Sequence, residues 1–248
     1  MAESFRSIRS NLQFLSNTEG SKTIAITSTI SGEGKTFVAI NIAGILAFSG
    51  KKVLLIDLDM RKPKIHFGFD AENIKGMSTL LIGKDGLEDC VQHSTLENLD
   101  FITAGPIPPN PSELVISNEM NALMEHLKSI YDVIVIDNPP VGIVSDGVEM
   151  IRKADYPIYI FKSDYSKKAF IQNANKLYAN GKVSKLSVIL NGVDMERKVY
   201  GNGYGNGYGY GYGYGYGYGY GYGSQGNYGY YEESNSKSKK SFLNRFRS

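Results

Sequence analysis

The sequence predicts an α/β fold, a mostly parallel central sheet flanked by helices, followed by a tail that builds no core. Three observations lead there. Short, nearly continuous Val/Ile/Leu runs alternate with longer helical stretches over residues 1–197. A glycine-rich loop stands between the first such run and the first long helix. From Tyr200 to Gly223 the chain is almost entirely Gly, Tyr and Asn, and glycine is costly to order and contributes no side chain to a core.

The runs Thr23–Ser28, Val53–Asp57, Leu99–Thr103, Val133–Asp137, Pro157–Phe161 and Ser187–Asn191 read as strands. Their unbroken apolar character fits a sheet covered on both faces. Between them Thr36–Phe48, Asn118–Ser129 and Lys167–Ala179 read as helices, and strand–helix alternation argues for parallel pairing. The Pro106–Pro111 stretch cannot continue a strand, and Ser112 with Glu113 offers a fresh helix start. Ahead of the first strand, Phe5, Ile8, Leu12 and Leu15 form an apolar helical stripe, with Glu3, Arg6 and Arg9 on a second stripe beside it. By themselves these three charges read as a solvated helix face. The predicted domains are therefore 1–197, with an N-terminal helix over 1–18, and a flexible tail over 198–248.

Composition narrows the function. A formal net charge of +2 implies no broad basic face for nucleic acid. One cysteine, Cys90, excludes an internal disulfide framework and fits a reducing compartment. No apolar run is long enough to span a membrane, and the N-terminus lacks the layout of a signal peptide, so a cytoplasmic domain is expected.

The loop Thr27-Ser28-Thr29-Ile30-Ser31-Gly32-Glu33-Gly34-Lys35-Thr36 follows a strand and opens a helix, the setting of a P-loop. Its backbone N–H groups and the helix N-terminus suit an anion, and Gly32 and Gly34 permit close approach. Lys35 carries a full charge to β- and γ-phosphates, and the Thr36 hydroxyl can ligate Mg²⁺. Where the P-loop pattern has its first glycine, Thr29 stands. The run Ser31, Gly32, Glu33, Gly34, Lys35, Thr36 and Phe37 is the expected nucleotide contact, and the fold expectation sharpens to a P-loop NTPase. Two further apolar strands end in carboxylates: Asp57 and Asp59, pointing the same way in extended chain, and Asp137, ahead of Asn138-Pro139-Pro140. Singly each could cap a helix. Together at the carboxyl ends of parallel strands they flank a ligand crevice, with Mg²⁺ as the natural counter-charge.

Asp57-x-Asp59-x-Arg61, Asp137-Asn138-Pro139-Pro140 and Ser31-Gly32-Glu33-Gly34-Lys35-Thr36 resemble the acidic, Walker B and P-loop motifs of the bacterial tyrosine kinases that control capsule and exopolysaccharide synthesis. Glu3-x-x-Arg6-x-x-Arg9 resembles that family's oligomerisation motif. The stretch Ala104-Gly105-Pro106-Ile107-Pro108-Pro109-Asn110-Pro111-Ser112-Glu113-Leu114 and the tyrosine-rich tail are also similar. Asn138 departs from the family's usual Thr or Ser. The resemblance implies ATP and Mg²⁺ as cofactors, Lys35 on the phosphates, and Thr36, Asp59 and Asp137 around Mg²⁺. It makes Asp57 the group that orients and deprotonates an incoming tyrosine. Asn191 resembles a base-reading position, and equally reads as a turn residue before Gly192.

The same resemblance makes the tail the substrate. Tyr200, Tyr204, Tyr208, Tyr210, Tyr212, Tyr214, Tyr216, Tyr218, Tyr220, Tyr222, Tyr228, Tyr230 and Tyr231 are the expected phospho-acceptors. A flexible segment of this length spans roughly 30 Å, enough to enter a neighbouring copy's site. The alternative for the tail is an adhesive low-complexity segment. A homo-oligomeric ring with Glu3, Arg6 and Arg9 at its contacts is expected, loosened as phosphates accumulate. The expected partners are a membrane-spanning activator, as a separate chain or a missing N-terminal part, and a tyrosine phosphatase. They place the domain at the inner face of the cell membrane. The basic end from Lys237 to Arg247 can touch anionic lipid or remain solvated. Two rivals stand against kinase activity: a partition- or positioning-type P-loop ATPase, and a polymer whose ATP site governs assembly. The former usually carries an extra lysine where Ile30 stands here.

Overall fold

The computed structural model describes residues 2–14, 20–142, 146–179, 183 and 185–194. The boundary at 197 and the tail 198–248 lie outside them, as do Leu15 and all thirteen expected acceptor tyrosines. Among the described residues there are seven strands: β1 (Lys22–Ser28), β2 (Val53–Asp57), β3 (Val91–His93), β4 (Leu99–Ile102), β5 (Val133–Asp137), β6 (Tyr156–Lys162) and β7 (Ser187–Asn191). They form one sheet in the order β3-β4-β2-β5-β1-β6-β7. All neighbours pair in parallel except β3, which runs antiparallel on β4 at the edge.

Alternation along the buried strands divides the core into two layers. Leu54, Ile56, Ile134 and Ile136 face one side, where they meet α7 (Asn118–Lys128), α8 (Asp146–Lys153) and α9 (Ile171–Ala179) through Met120, Leu127, Ile151 and Leu177. Val53, Leu55, Val133 and Val135 face the other, against α2 (Lys35–Phe48), α1 (Ala2–Phe14) and α3 (Ile65–Phe69). α2 is buried from Val38 to Ala47 because the sheet covers one flank and α1 another. The predicted stripe on α1 does this: Phe5 and Leu12 are buried, and Phe5 meets Phe37 edge-on with ring centres 6.1 Å apart. Ile56 is fully buried in β2. Ile56→Ala should lower the unfolding free energy by about 2–5 kcal/mol, seen as a lower urea midpoint at unchanged slope; an unmoved midpoint would contradict this layering.

Six strands and three long helices stand where the apolar runs predict them. The helix expected from Lys167 begins instead as a 3₁₀ turn, Lys168–Phe170, before α9. Asn110 stands at the N-cap position of α6 (Pro111–Val115) and Pro111 takes the first position, one residue ahead of the predicted start, because an N–H there would have no partner within the helix. β3, α3, α4 (Met77–Leu81), α5 (Leu87–Cys90) and α8 have no counterpart in the sequence reading. Apart from α8 they span only three to five residues each, too short to show a period. Cys90 is buried beside Thr79 and Gly76, with burial raising its thiol pKa. It is a packing residue.

Candidate active site

β1 ends at Ser28, and the chain turns through Thr29–Gly34 before α2 begins at Lys35. Gly32 and Gly34 have φ of 92° and 97°, the left-handed region that glycine alone enters freely. Such alternation turns successive N–H groups to one side and makes an anion-binding concavity. The loop opens on a cleft of about 230 Å³ lined by Ser31, Gly32, Gly34, Lys35, Thr36, Phe37, Asp59 and Lys64. Thr29 replaces a glycine without strain. Its φ is not positive, and its hydroxyl turns inward to the Tyr159 hydroxyl at 2.8 Å.

The parallel register sets Asp57 directly beside Asp137 at the last paired position of β2 and β5. Both are fully buried. Thr36 donates its hydroxyl to Asp137 Oδ2 at 2.5 Å, while Asp137 Oδ1 is buried without a hydrogen-bond partner. Asp57 accepts the Asp59 N–H on Oδ1 and the Lys64 and Ile65 N–H groups on Oδ2, each at 3.1 Å. It therefore anchors the loop that carries Lys64. Lys35, almost fully buried, holds its Nζ 3.9 Å from Asp59 Oδ2, at the outer limit of an ion pair. Burial, then the charge of Asp137, pushes the Asp57 carboxyl well above its ordinary range. Burial also raises Asp137, opposed by Lys35 and by the Thr36 hydrogen bond.

These donors fit a sparsely held Mg²⁺. Among the described residues no three His, Cys, Asp or Glu side chains enclose a metal position. Mg²⁺ at phosphates needs only one or two protein oxygens besides water. The Thr36 hydroxyl and the unpartnered Asp137 Oδ1 supply that chemistry. A larger hollow among the described residues, about 540 Å³, lies at the opposite end of the sheet, lined by the first residues of β1 and β5 and away from every one of these carboxylates.

Asn191 ends β7 and donates its amide N–H to the Glu33 carbonyl at 3.1 Å, a tie to the P-loop rather than a contact with any base. The Glu33 side chain faces inward, accepting the Ile30 N–H at 2.8 Å and the Ser166 hydroxyl, which leaves only its backbone for a nucleotide. Glu3 and Arg6 pair at 3.1 Å on the exposed face of α1, with Arg9 one turn further on the same helix. Sequence reasoning missed Lys64, whose charge opposes the rise in Asp137, although a cation three residues beyond Arg61 hints at it. It also missed Tyr165 and Ser166. Their one signal is position, since the loop after β6 must open at the same carboxyl edge as the P-loop.

A family model described as an AAA domain matches residues 21–183. The tyrosine-protein kinase YwqD of Bacillus subtilis is 38% identical over 196 residues, covering 79% of this chain and 83% of that protein. The EpsB protein of Ralstonia solanacearum, named a putative tyrosine-protein kinase, is 36% identical over 81% of this chain, which spans 27% of its length. Among solved structures, the kinase domain of the Escherichia coli tyrosine kinase ETK superposes with a TM-score of 0.75 at 33% identity, covering 84% of this chain and 81% of that one. Similarity of this extent, over a fold whose P-loop faces two buried aspartates, establishes the family: the chain is a bacterial tyrosine-protein kinase.

Proposed function

We propose that this kinase transfers the γ-phosphoryl group of ATP to tyrosines of the 200–231 array on neighbouring copies, and so regulates capsule or exopolysaccharide synthesis. The observation that carries the reading is the gathering of Lys35, Thr36, Asp57, Asp59 and Asp137 at the carboxyl ends of three adjacent parallel strands. Phosphoryl transfer asks a protein mainly for positioning and charge neutralisation. The P-loop amides hold the phosphate oxygens and Lys35 swings from Asp59 to the β- and γ-phosphates. Thr36, Asp59 and Asp137 would hold Mg²⁺, which would neutralise phosphate charge. The tyrosine oxygen forms the new bond to phosphorus as the bridging β–γ oxygen leaves with ADP, and the phenolic proton passes to Asp57. The raised pKa of Asp57 supports that role, since a base works best with proton affinity near the operating pH. Asn191 reads the base.

Glu3, Arg6 and Arg9, exposed or half-exposed on α1, are proposed as the contacts of a ring in which tails enter adjoining sites. Among the described residues no helix is long and apolar enough to cross a membrane. Relatives of which this chain spans 83% and 27% support a catalytic unit that works with a membrane-spanning activator, separate or fused. That activator would hold it at the inner membrane face, where a tyrosine phosphatase reverses the reaction. Mass spectrometry after incubation with Mg·ATP should place phosphate on the array tyrosines, and light scattering should record a smaller particle. Phosphate release without labelled protein would instead indicate a switch ATPase, and labelling at unchanged particle mass would remove the ring.

A further inference from the structure

A loop that turns its N–H groups inward to an anion must turn its carbonyls outward, where they need donors of their own. Here those donors come from two neighbouring segments. Tyr165 donates its hydroxyl to the Ser31 carbonyl at 3.0 Å, and Asn191 donates to the Glu33 carbonyl at 3.1 Å. A third tie runs through a side chain: the buried Glu33 carboxylate accepts hydrogen bonds from the Ile30 N–H at 2.8 Å and from the Ser166 hydroxyl. Ser166 is itself fixed by the Lys162 N–H at 2.8 Å, and Lys162 Nζ lies 5.1 Å from the centre of the Tyr165 ring. The same closeness is visible from the glycines. A Cβ on Gly32 would meet the Tyr165 hydroxyl at 2.7 Å, and one on Gly34 would meet Asn191 Nδ2 at 2.1 Å.

We propose that Tyr165 and Ser166 are positioning residues that hold the P-loop in its anion-ready shape from outside. This rests on the nucleotide site argued above but assigns a new role to the loop after β6. Before nucleotide arrives, the inward amides have no anion to hold them in register, and their dipoles oppose one another. The outward ties keep the loop in the competent shape. Once phosphate is bound, it fixes the amides itself. Loss of a tie therefore reduces the competent fraction of free enzyme, and apparent affinity falls by that fraction. Turnover at saturating ATP is spared.

Tyr165 is 46% exposed, so Tyr165→Phe keeps the ring and its Lys162 contact and removes only the donor. Its Kd for Mg·ADP and KM for ATP should each rise on the order of fivefold, the worth of one neutral hydrogen bond, with kcat and the nucleotide-free Tm held. Ser166→Ala should act more strongly, because it takes a partner from a buried carboxylate, and Ser166→Thr should restore affinity by returning a hydroxyl. Equal affinity in wild type and Tyr165→Phe would overturn the proposal, as would a loss of kcat at unchanged KM. Failure of the wild-type chain itself to bind Mg·ADP would take down the nucleotide site and its brace together.

Discussion

Lys35→Met is expected to lower the initial rate of tyrosine phosphorylation about 10²–10³-fold, the usual cost of removing one charge-stabilising donor from a transferring group. Methionine nearly matches the lysine stem in volume, and the side chain is buried, so the fold should survive. The chemistry should not. Lys35 is the cation paired with Asp59 at 3.9 Å and the leading influence holding down the Asp137 carboxyl against burial. Its removal takes positive charge from the phosphates and leaves two carboxylates facing one another with less compensation. Incorporation of labelled phosphate into protein, measured as an initial rate, is the test. Labelling within a few-fold of wild type would place the phosphate site elsewhere.

Asp137→Asn is expected to separate activity from stability, lowering the first about 10²–10³-fold and raising the second in nucleotide-free protein. The sign follows from the carboxyls. Asp57 and Asp137 both have folded pKa values above their ordinary value of 3.8. Between that value and the folded ones the native state holds more protons than the unfolded state, so stability falls as pH rises through the window. Each unit by which burial raises such a carboxyl costs about 1.4 kcal/mol at a pH above the folded value. Asparagine removes that charge, and its amide oxygen can still accept the Thr36 hydroxyl. Nucleotide-free Asp137→Asn should therefore melt higher than wild type at about pH 8, with a shallower decline between about pH 5 and 8. A Tm below wild type at every pH would mean that the buried carboxylate stabilises the fold. The strain belongs to function: a charge buried without its counter-ion waits for one.

The two nucleotide-site substitutions act on residues legible in the sequence, and the reason is covalent proximity. Ser31 to Thr36 make one continuous loop, and Asp57, Asp59 and Asp137 each end an apolar run. Parallel pairing then brings them to one edge whatever the details of the helices. The two-layered core was legible for the same reason, since Leu54 and Ile56 must face opposite to Val53 and Leu55 once β2 is a strand. The family, too, was readable from these motifs, because phosphate binding demands particular residues at particular spacings.

What only the tertiary structure decided lies between segments distant in the chain. Tyr165 touches Ser31, and Ser166 touches Glu33, across more than 130 positions, a relation without any spacing to read. Strand order did this by placing β6 next to β1 and β7 next to β6, so two loops flank the P-loop from the side opposite the aspartates. The same holds for the split roles of the three carboxylates. Their sequence contexts look alike. Burial, three backbone N–H groups on Asp57 and an unpartnered oxygen on Asp137 tell them apart. Local patterning specifies which groups reach the edge of the sheet, because each strand carries its own signal. Desolvation and cross-chain hydrogen bonding specify what each group does there, because both depend on neighbours that the linear order never brings together.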